Sequence, residues 1–194
     1  MEKVFFRHVK NFEKSSEFLL LASLIDPSRP VFRIFLNHSL LVANKAMQGA
    51  NKVKHLNPDF RFILEASMFH DIGIIQTFAP DIDCFGRADY IEHGILGAEI
   101  LRKNGMEKLA RVSETHIGVG ITRDDIKKSN LPLPLKDYFP VSLEEKIIAW
   151  ADKFYSKNPV NKGQQKSLDE ILSGIGKYDK KKMAIFLEWN EMFN

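Results

Sequence analysis

Histidine and aspartate recur in a fixed order along this chain, and both are side chains that bind metal ions. His70 and Asp71 are adjacent in the run EASMFHDIG. Single residues of the same two types flank them, namely His38 upstream and His93, His116 and Asp152 downstream. Imidazole nitrogen and carboxylate oxygen suit zinc, manganese, iron or magnesium. Residue types and order therefore predict a metal site.

The cost of burying these side chains favours a shared ion over six separate core residues. A lone histidine on an apolar helix face is more often a hydrogen-bonded core residue than a ligand. Four imidazoles and two carboxylates together cost several kcal/mol to bury unless each is paired or ligated. Because a carboxylate has two oxygens, Asp71 could bridge two ions, and two metals about 3.5–4 Å apart are a recurring arrangement for phosphate-ester hydrolysis.

The elements that carry these residues are predicted to be helices. Apolar residues repeat with a helical period over residues 11–25, from Pro30, over 57–71, 91–104, 107–117 and 122–128, and again after Ser142 and Ser167. Asn57 and Pro58 are expected to begin the third helix and Gly73 to close it. Residues 76–90 are turn-forming and polar, so they are predicted to be a loop, and no strand alternation is found.

These patterns predict an all-α fold, a single-domain helical bundle over residues 1–194. The metal-binding core is expected at about 31–156, with C-terminal helices over 164–194 packing on it. Cys84 is the only cysteine, so no internal disulfide is possible, which is compatible with a reducing cytosol. The run FLLLASLI is too short for a membrane helix, so a cytoplasmic location is expected.

Positive charge is concentrated near the C-terminal end. Residues 153–182 contain eight lysines and three acidic residues, whereas the whole chain has a net charge of only +3. The run is typical of a solvated helical face, and it could also attract a phosphate-bearing ligand. It lacks interleaved aromatics, so nucleic acid is not an expected partner.

The order His38, His70-Asp71, Asp152 resembles the HD-domain metal-dependent phosphohydrolases, for which HDIG is a usual spelling. The resemblance covers roughly residues 34–154, and the added His93 and His116 are similar to the subset that binds two metals. It implies that His38, His70, Asp71 and Asp152 hold a first metal. It further implies that Asp71 bridges to a second metal held by His93 and His116, with His70 and Asp71 as the catalytic pair. Iron, manganese, zinc, nickel and magnesium are the metals expected in such sites.

Two positions depart from the family pattern. Many relatives carry lysine three residues after the aspartate, where this chain has Ile74. A cation that contacts the substrate phosphate is therefore expected from Arg87, Arg123 or Lys153, with the substrate entering beside residues 76–90. No Gly-Tyr-Pro signature follows His116, which argues against cleavage of cyclic dinucleotides of the HD-GYP kind.

The predicted function is hydrolysis of a phosphomonoester or phosphodiester by metal-activated water, with a nucleotide as the expected class of substrate. The alternatives are a non-catalytic HD module that binds a metal or a nucleotide, and a di-iron oxygenase on the same scaffold. The expected partner is a small phosphorylated substrate and not a membrane. A homodimer is a further hypothesis, through the N-terminal phenylalanines Phe5, Phe6, Phe12 and Phe18.

Overall fold

The computed structural model describes residues 16–158, 160, 163–177 and 179–194. Helices dominate this part of the chain, which confirms the predicted all-α class. They are α1 Ser16–Leu24, α2 Pro30–Lys52, α3 Phe60–Phe69, α4 His93–Lys103, α5 Glu107–Thr115, α6 Arg123–Ser129, α7 Leu143–Asp152, α8 Leu168–Gly176 and α9 Lys180–Phe193. Short 3-10 helices cover Lys54–Leu56, Ile72–Gln76, Pro80–Ile82 and Tyr90–Glu92. Three of the N-terminal phenylalanines lie outside the described residues, and Phe18 packs on the core.

Local sequence explains most helix starts. Pro30 occupies the first turn of α2, as expected. The start of α3 differs from the prediction, because Asp59 is the N-cap and its side chain accepts a hydrogen bond from the amide of Phe62. A proline at position 58 therefore lies outside the helix. Ser142 and Ser167 cap α7 and α8 as their spacing from Glu145 and Glu170 indicates.

Gly73 does not act as the predicted helix terminator. Helix α3 ends at Phe69, and the chain continues through the 3-10 helix Ile72–Gln76, which contains Gly73. A Cβ atom at Gly73 would collide with the backbone of His93 and of Gly97 on α4. The glycine is therefore required for close packing between this 3-10 helix and α4.

Residues 76–90 are more ordered than the predicted loop. They contain an antiparallel hairpin of β1 Phe78–Ala79 and β2 Cys84–Phe85, in which Phe78 pairs with Phe85. The Cys84 thiol is buried, and burial raises its pKa to about 11. Two-residue strands produce no detectable alternation in a sequence, which explains why the hairpin was not predicted.

The main hydrophobic core runs through the bundle, and a smaller cluster is formed by Ile121, Ile126 and Tyr138. Helices α2, α3 and α7 pack against each other, and α9 packs against α2, α7 and α8. Trp150 lies fully buried at the centre, edge-on to Phe154 and Phe193. No helix in the described part of the chain is long and apolar enough to cross a membrane.

Candidate functional site

The six histidines and aspartates selected from the sequence converge in the middle of the bundle, and all six are buried. Only one of them lies within a helix interior, and the others lie at helix ends. His38 is in α2, His70 follows α3 and precedes Asp71, His93 begins α4, His116 follows α5 and Asp152 ends α7. We refer to these six residues as the His/Asp cluster.

One half of the cluster surrounds the Oδ2 atom of Asp71. His38 Nε2 lies 3.1 Å from this oxygen and His70 Nε2 lies 3.0 Å from it. Asp152 Oδ1 closes the group at 3.0 Å from His38 Nε2 and 3.5 Å from His70 Nε2. Each of the four residues therefore presents one ligand atom to a common point.

The other half surrounds the second oxygen of the same carboxylate. His93 Nε2 lies 3.2 Å from Asp71 Oδ1, and His116 Nε2 lies 3.3 Å from it. The two ring nitrogens are 3.2 Å apart. Asp71 is thus shared between two groups of ligand-type atoms, one at each oxygen.

Backbone hydrogen bonds fix which ring nitrogen faces inward. In three histidines Nδ1 donates to the carbonyl oxygen three residues earlier: His70 to Ser67 at 2.7 Å, His93 to Tyr90 at 2.6 Å and His116 to Ser113 at 2.7 Å. Because Nδ1 carries the hydrogen, the Nε2 of a neutral ring presents its lone pair. Hydrogen bonds of this kind orient metal-ligating histidines and set their tautomer.

The donor set fits a divalent cation. When the rings are neutral, lone pairs of Nε2 face the carboxylate oxygens of Asp71, and both oxygens are buried without a well-directed hydrogen bond among the described residues. Acceptors facing acceptors in a buried site need a positive charge between them. Two ligands about 2.1 Å from one ion, at 90–110° to each other, lie about 3.0–3.4 Å apart, which matches the distances within each half.

The electrostatics of the cluster favour positive charge at its centre. Burial raises the pKa of Asp71, but the charges of His70 and Lys157 outweigh this effect and hold the pKa well below its usual range. Burial lowers the pKa of His70, yet the Asp71 and Asp152 carboxylates raise it to about 9. For His116, burial dominates and lowers the pKa to about 4. The carboxylates are therefore ionised and attract a cation.

Ser113 ties together the helix ends that carry the histidines. Its buried hydroxyl lies 2.8 Å from the carbonyl oxygen of His70 and 3.1 Å from that of Gly94. Its own carbonyl accepts the Nδ1 hydrogen of His116. A side chain at Gly97 would collide with this hydroxyl. Small residues at these positions bring α3, α4 and α5 close enough for their histidines to meet.

Lys157 adjoins the cluster and was not predicted. Its Nζ lies 2.7 Å from Asp71 Oδ2 and 5.8 Å from the centre of the Tyr90 ring, and its side chain is only 12% exposed. Burial lowers its pKa, but Asp71, Tyr90 and Asp152 together raise it above the ordinary value, so the amine is charged. The residue follows α7 in an irregular segment, where no periodicity could have indicated its direction.

A cavity of about 1060 Å³ opens beside the cluster. Asp152, Lys153 and Lys157 line it on one side, and Tyr90 borders it. Helix α7 ends at Asp152, and the Lys153 Nζ lies 3.5 Å from Asp152 Oδ2.

The two arginines expected near a phosphate lie elsewhere. Arg87 is exposed and is not among the residues that line the cavity. Arg123 is also exposed, and its guanidinium lies 3.6 Å from Asp137. The hairpin places most of residues 76–90 away from the cavity, with Tyr90 alone reaching it. The structure therefore does not bring either arginine to the cluster, and Ile74 is buried in the core.

Comparison with known proteins identifies the family. Residues 35–156 match the HD domain family, and this segment contains the whole His/Asp cluster. The chain belongs to the HD domain family. The HD domain of the L. monocytogenes phosphodiesterase PgpH has the same fold, with a TM-score of 0.50 and 18% identity, over 87% of this chain and 94% of that one. The predicted HD-type helical bundle is thus confirmed.

Two curated relatives of this HD domain protein match 60% and 66% of the chain. An uncharacterized protein of Methanocaldococcus jannaschii is 41% identical over 120 residues, which is 60% of this chain and 63% of that protein. A tRNA (cytidine(56)-2'-O)-methyltransferase of Picrophilus torridus is 34% identical over 128 residues, which is 66% of this chain and 33% of that protein. The chain therefore spans less than two thirds of the length of either relative.

Proposed function

We propose that this HD domain protein is a metal-dependent phosphohydrolase that cleaves a phosphomonoester or phosphodiester of a nucleotide by activated water. The observation that carries the proposal is the sharing of Asp71 between two groups of inward-facing ligand atoms. Family membership supports the proposal because residues 35–156 contain every member of the cluster.

In this proposal Asp71 is the bridging ligand. The first metal would be held by Asp71 Oδ2 with His38, His70 and Asp152, and the second by Asp71 Oδ1 with His93 and His116. Divalent cations supply Lewis-acid chemistry here, because they acidify water and offset negative charge on a phosphate. No amino-acid nucleophile is required.

The other roles of the protein are positional and electrostatic. The Nδ1 hydrogen bonds hold the imidazole rings in place, and Asp152 adds negative charge that balances the metal. Of the three cations expected from the sequence, we retain Lys153, which lines the cavity. We add Lys157 as the cation nearest Asp71, where it would contact the reacting phosphate. Lys157 would thus take the role of the lysine that many relatives carry at the position of Ile74.

The name of the Picrophilus relative does not extend to this chain. The alignment covers one third of that protein, so its methyltransferase activity is not carried over to this chain. The proposed hydrolysis instead rests on the cluster and on the family.

Metal analysis followed by a substrate screen tests the proposal. Purified protein loaded with Mn, Fe, Zn, Ni or Mg should contain about two ions per chain. It should release phosphate or nucleoside from nucleotides, or hydrolyse bis-p-nitrophenyl phosphate, and chelation should abolish turnover. An anomalous-scattering map should place the ions within the cluster.

Three outcomes would contradict the proposal in different ways. Metal without turnover of any ester would indicate a non-catalytic metal-binding module. Turnover that requires oxygen and a reductant would indicate an oxygenase. A map without an ion near Asp71 in metal-loaded protein would remove the basis of the hydrolase proposal.

A further inference from the structure

The cavity beside the cluster is lined by more lysines than acidic residues. Seven lysines and four acidic residues line it. Two of the acidic residues are already paired, because Asp125 binds Lys182 at 2.7 Å and Asp152 lies 3.5 Å from Lys153. The remaining lysines are in excess over the remaining acidic residues.

Three of these lysines lie on the chain segment that follows the cluster residue Asp152. They are Lys153, Lys157 and Lys166, which we call the lysine trio. Lys153 and Lys157 each contact a carboxylate of the cluster. Lys166 does not: among the residues that the structure describes, its amine forms no ion pair. The trio therefore combines two lysines at the cluster with a third that lines the same cavity.

Lys166 is held in this position by its backbone. Its amide donates to the carbonyl oxygen of Phe154 at 2.8 Å, which fixes the segment before α8 against the end of α7. The side chain is half-buried on the cavity wall. Burial lowers the pKa of the Lys166 amine and the nearby charge of Lys153 lowers it further, while Asp152 and Glu170 act in the opposite direction without cancelling the shift. An anionic ligand would favour the charged amine and so offset the lowering.

Part of the remaining cavity wall is apolar, although further charged residues such as Lys128 and Lys177 also line the cavity. The apolar part is formed by aliphatic side chains from the segment after α5 and from α8, namely Ile117, Val119, Ile121, Ile171 and Ile175. A volume of about 1060 Å³ is sufficient for a nucleotide. The cavity thus combines lysines beside the cluster with an apolar patch that could receive a base.

We propose that the lysine trio binds a second phosphate group, adjacent to the one at the His/Asp cluster. The preferred ligand is then a nucleotide with at least two linked phosphates, whose base packs on the apolar wall. In this arrangement Lys157 would contact the phosphate at the cluster and Lys166 the outer phosphate, with Lys153 beside Asp152 adding positive charge that also acts on Lys166. This inference rests on the proposed function, which places the first phosphate at the cluster.

Binding of matched, slowly hydrolysed ligands tests the inference. The probes are α,β-methylene adenosine 5′-diphosphate, adenosine 5′-monophosphate and the methylene analogue of pyrophosphate, titrated calorimetrically into metal-loaded protein at constant ionic strength. The diphosphate should bind at least about tenfold more tightly than the monophosphate, because its second phosphate reaches Lys166 and the monophosphate has none. It should also bind more tightly than the pyrophosphate analogue, which has no base.

A matched pair of variants locates the effect. Lys166→Gln should reduce the preference for diphosphate over monophosphate to about twofold, with unchanged metal content. Lys180→Gln, at an exposed lysine that does not line the cavity, should retain the full preference. Equal affinities for the two nucleotides in the unmodified protein, or a preference that survives Lys166→Gln, would overturn the inference.

Failure of the inference is distinguishable from failure of the proposed function. Hydrolysis of bis-p-nitrophenyl phosphate requires the cluster and not the outer subsite. Hydrolysis without a diphosphate preference would overturn the lysine-trio subsite alone. A diphosphate preference that depends on Lys166, without hydrolysis of any ester, would overturn the hydrolase and leave a nucleotide-binding module.

Discussion

The His/Asp cluster and the lysine trio adjoin one cavity, yet they are built differently. The cluster lies on or next to packed helices, and backbone carbonyls three residues away orient three of its rings. The trio lies on the irregular segment between α7 and α8, and its long side chains have few partners. Helices and glycine contacts fix ligand atoms to fractions of an ångström, which a shared ion requires. Phosphate binding by lysine needs charge more than fixed geometry.

The largest expected effect comes from the one residue shared by both halves of the cluster. Asp71→Asn should remove most bound metal and reduce kcat by more than the ~10²–10³-fold typical of removing a single preorganised donor, because neither half keeps its bridging charge. Asp124→Asn, at an exposed aspartate on α6, provides the matched control. Metal content and steady-state rates measure the effect. Retention of two ions in Asp71→Asn would show that the bridge is not needed.

A smaller loss is expected from the half that has fewer ligands of its own. His93→Ala combined with His116→Ala should lower the metal content from about two ions to about one per chain and reduce kcat about 10²-fold. His55→Ala, at an exposed histidine, should change neither quantity. If the double variant keeps its metal content, the two histidines contact substrate or serve the fold.

Substitution of a glycine that packs beside the cluster tests how rigidly the cluster is held. Gly73→Ala should lower the free energy of unfolding by about 3 kcal/mol, because its Cβ meets the α4 backbone, which cannot yield locally. Gly174→Ala in α8 has open space and should stabilise the protein by up to about 1 kcal/mol. Denaturant unfolding measures both changes. A neutral Gly73→Ala would mean that the packing around the cluster is adaptable.

The trio should tolerate substitution better than the cluster. Lys157→Met keeps most of the buried stem of the side chain and removes its charge, so kcat/KM should fall about tenfold while bound metal remains. Rates at saturating metal, with parallel metal analysis, separate the two effects. Loss of metal from Lys157→Met would place this lysine with the cluster and remove the contrast between the regions.

The smallest effect is expected at the arginines that the structure leaves outside the cavity. Arg87→Ala and Arg123→Ala should each change KM for a nucleotide ester by less than about twofold, since exposed side chains far from the substrate contribute little. A larger rise in KM for Arg87→Ala alone would restore the sequence-based expectation that the substrate enters beside residues 76–90.

The difference between the helices that carry the cluster and the irregular segment that carries the trio also explains what could be predicted from the sequence. The type and order of residues such as His38 and Asp152 were visible because each lies on an apolar stripe with helical period. The role of Gly73 was not visible, since it depends on the approach of a distant helix. Lys157 and Lys166 lie in segments without periodicity, so only the local excess of lysine pointed to them. Arg87 lies outside the cavity lining, and the hairpin in residues 76–90, which no sequence pattern indicated, sets the course of that segment.

The Nδ1 hydrogen bonds also reduce the conformational entropy that the side chains would lose when ions bind. A side chain that must be immobilised on binding costs about 0.5–1.5 kcal/mol of lost rotamer freedom. The rings of His70, His93 and His116 are already immobilised by carbonyls of their own turns. Their rotamer entropy is therefore lost during folding and not on ion binding. Ion uptake should therefore leave the three rings in the same rotamers, with a small structural change and a correspondingly favourable binding entropy.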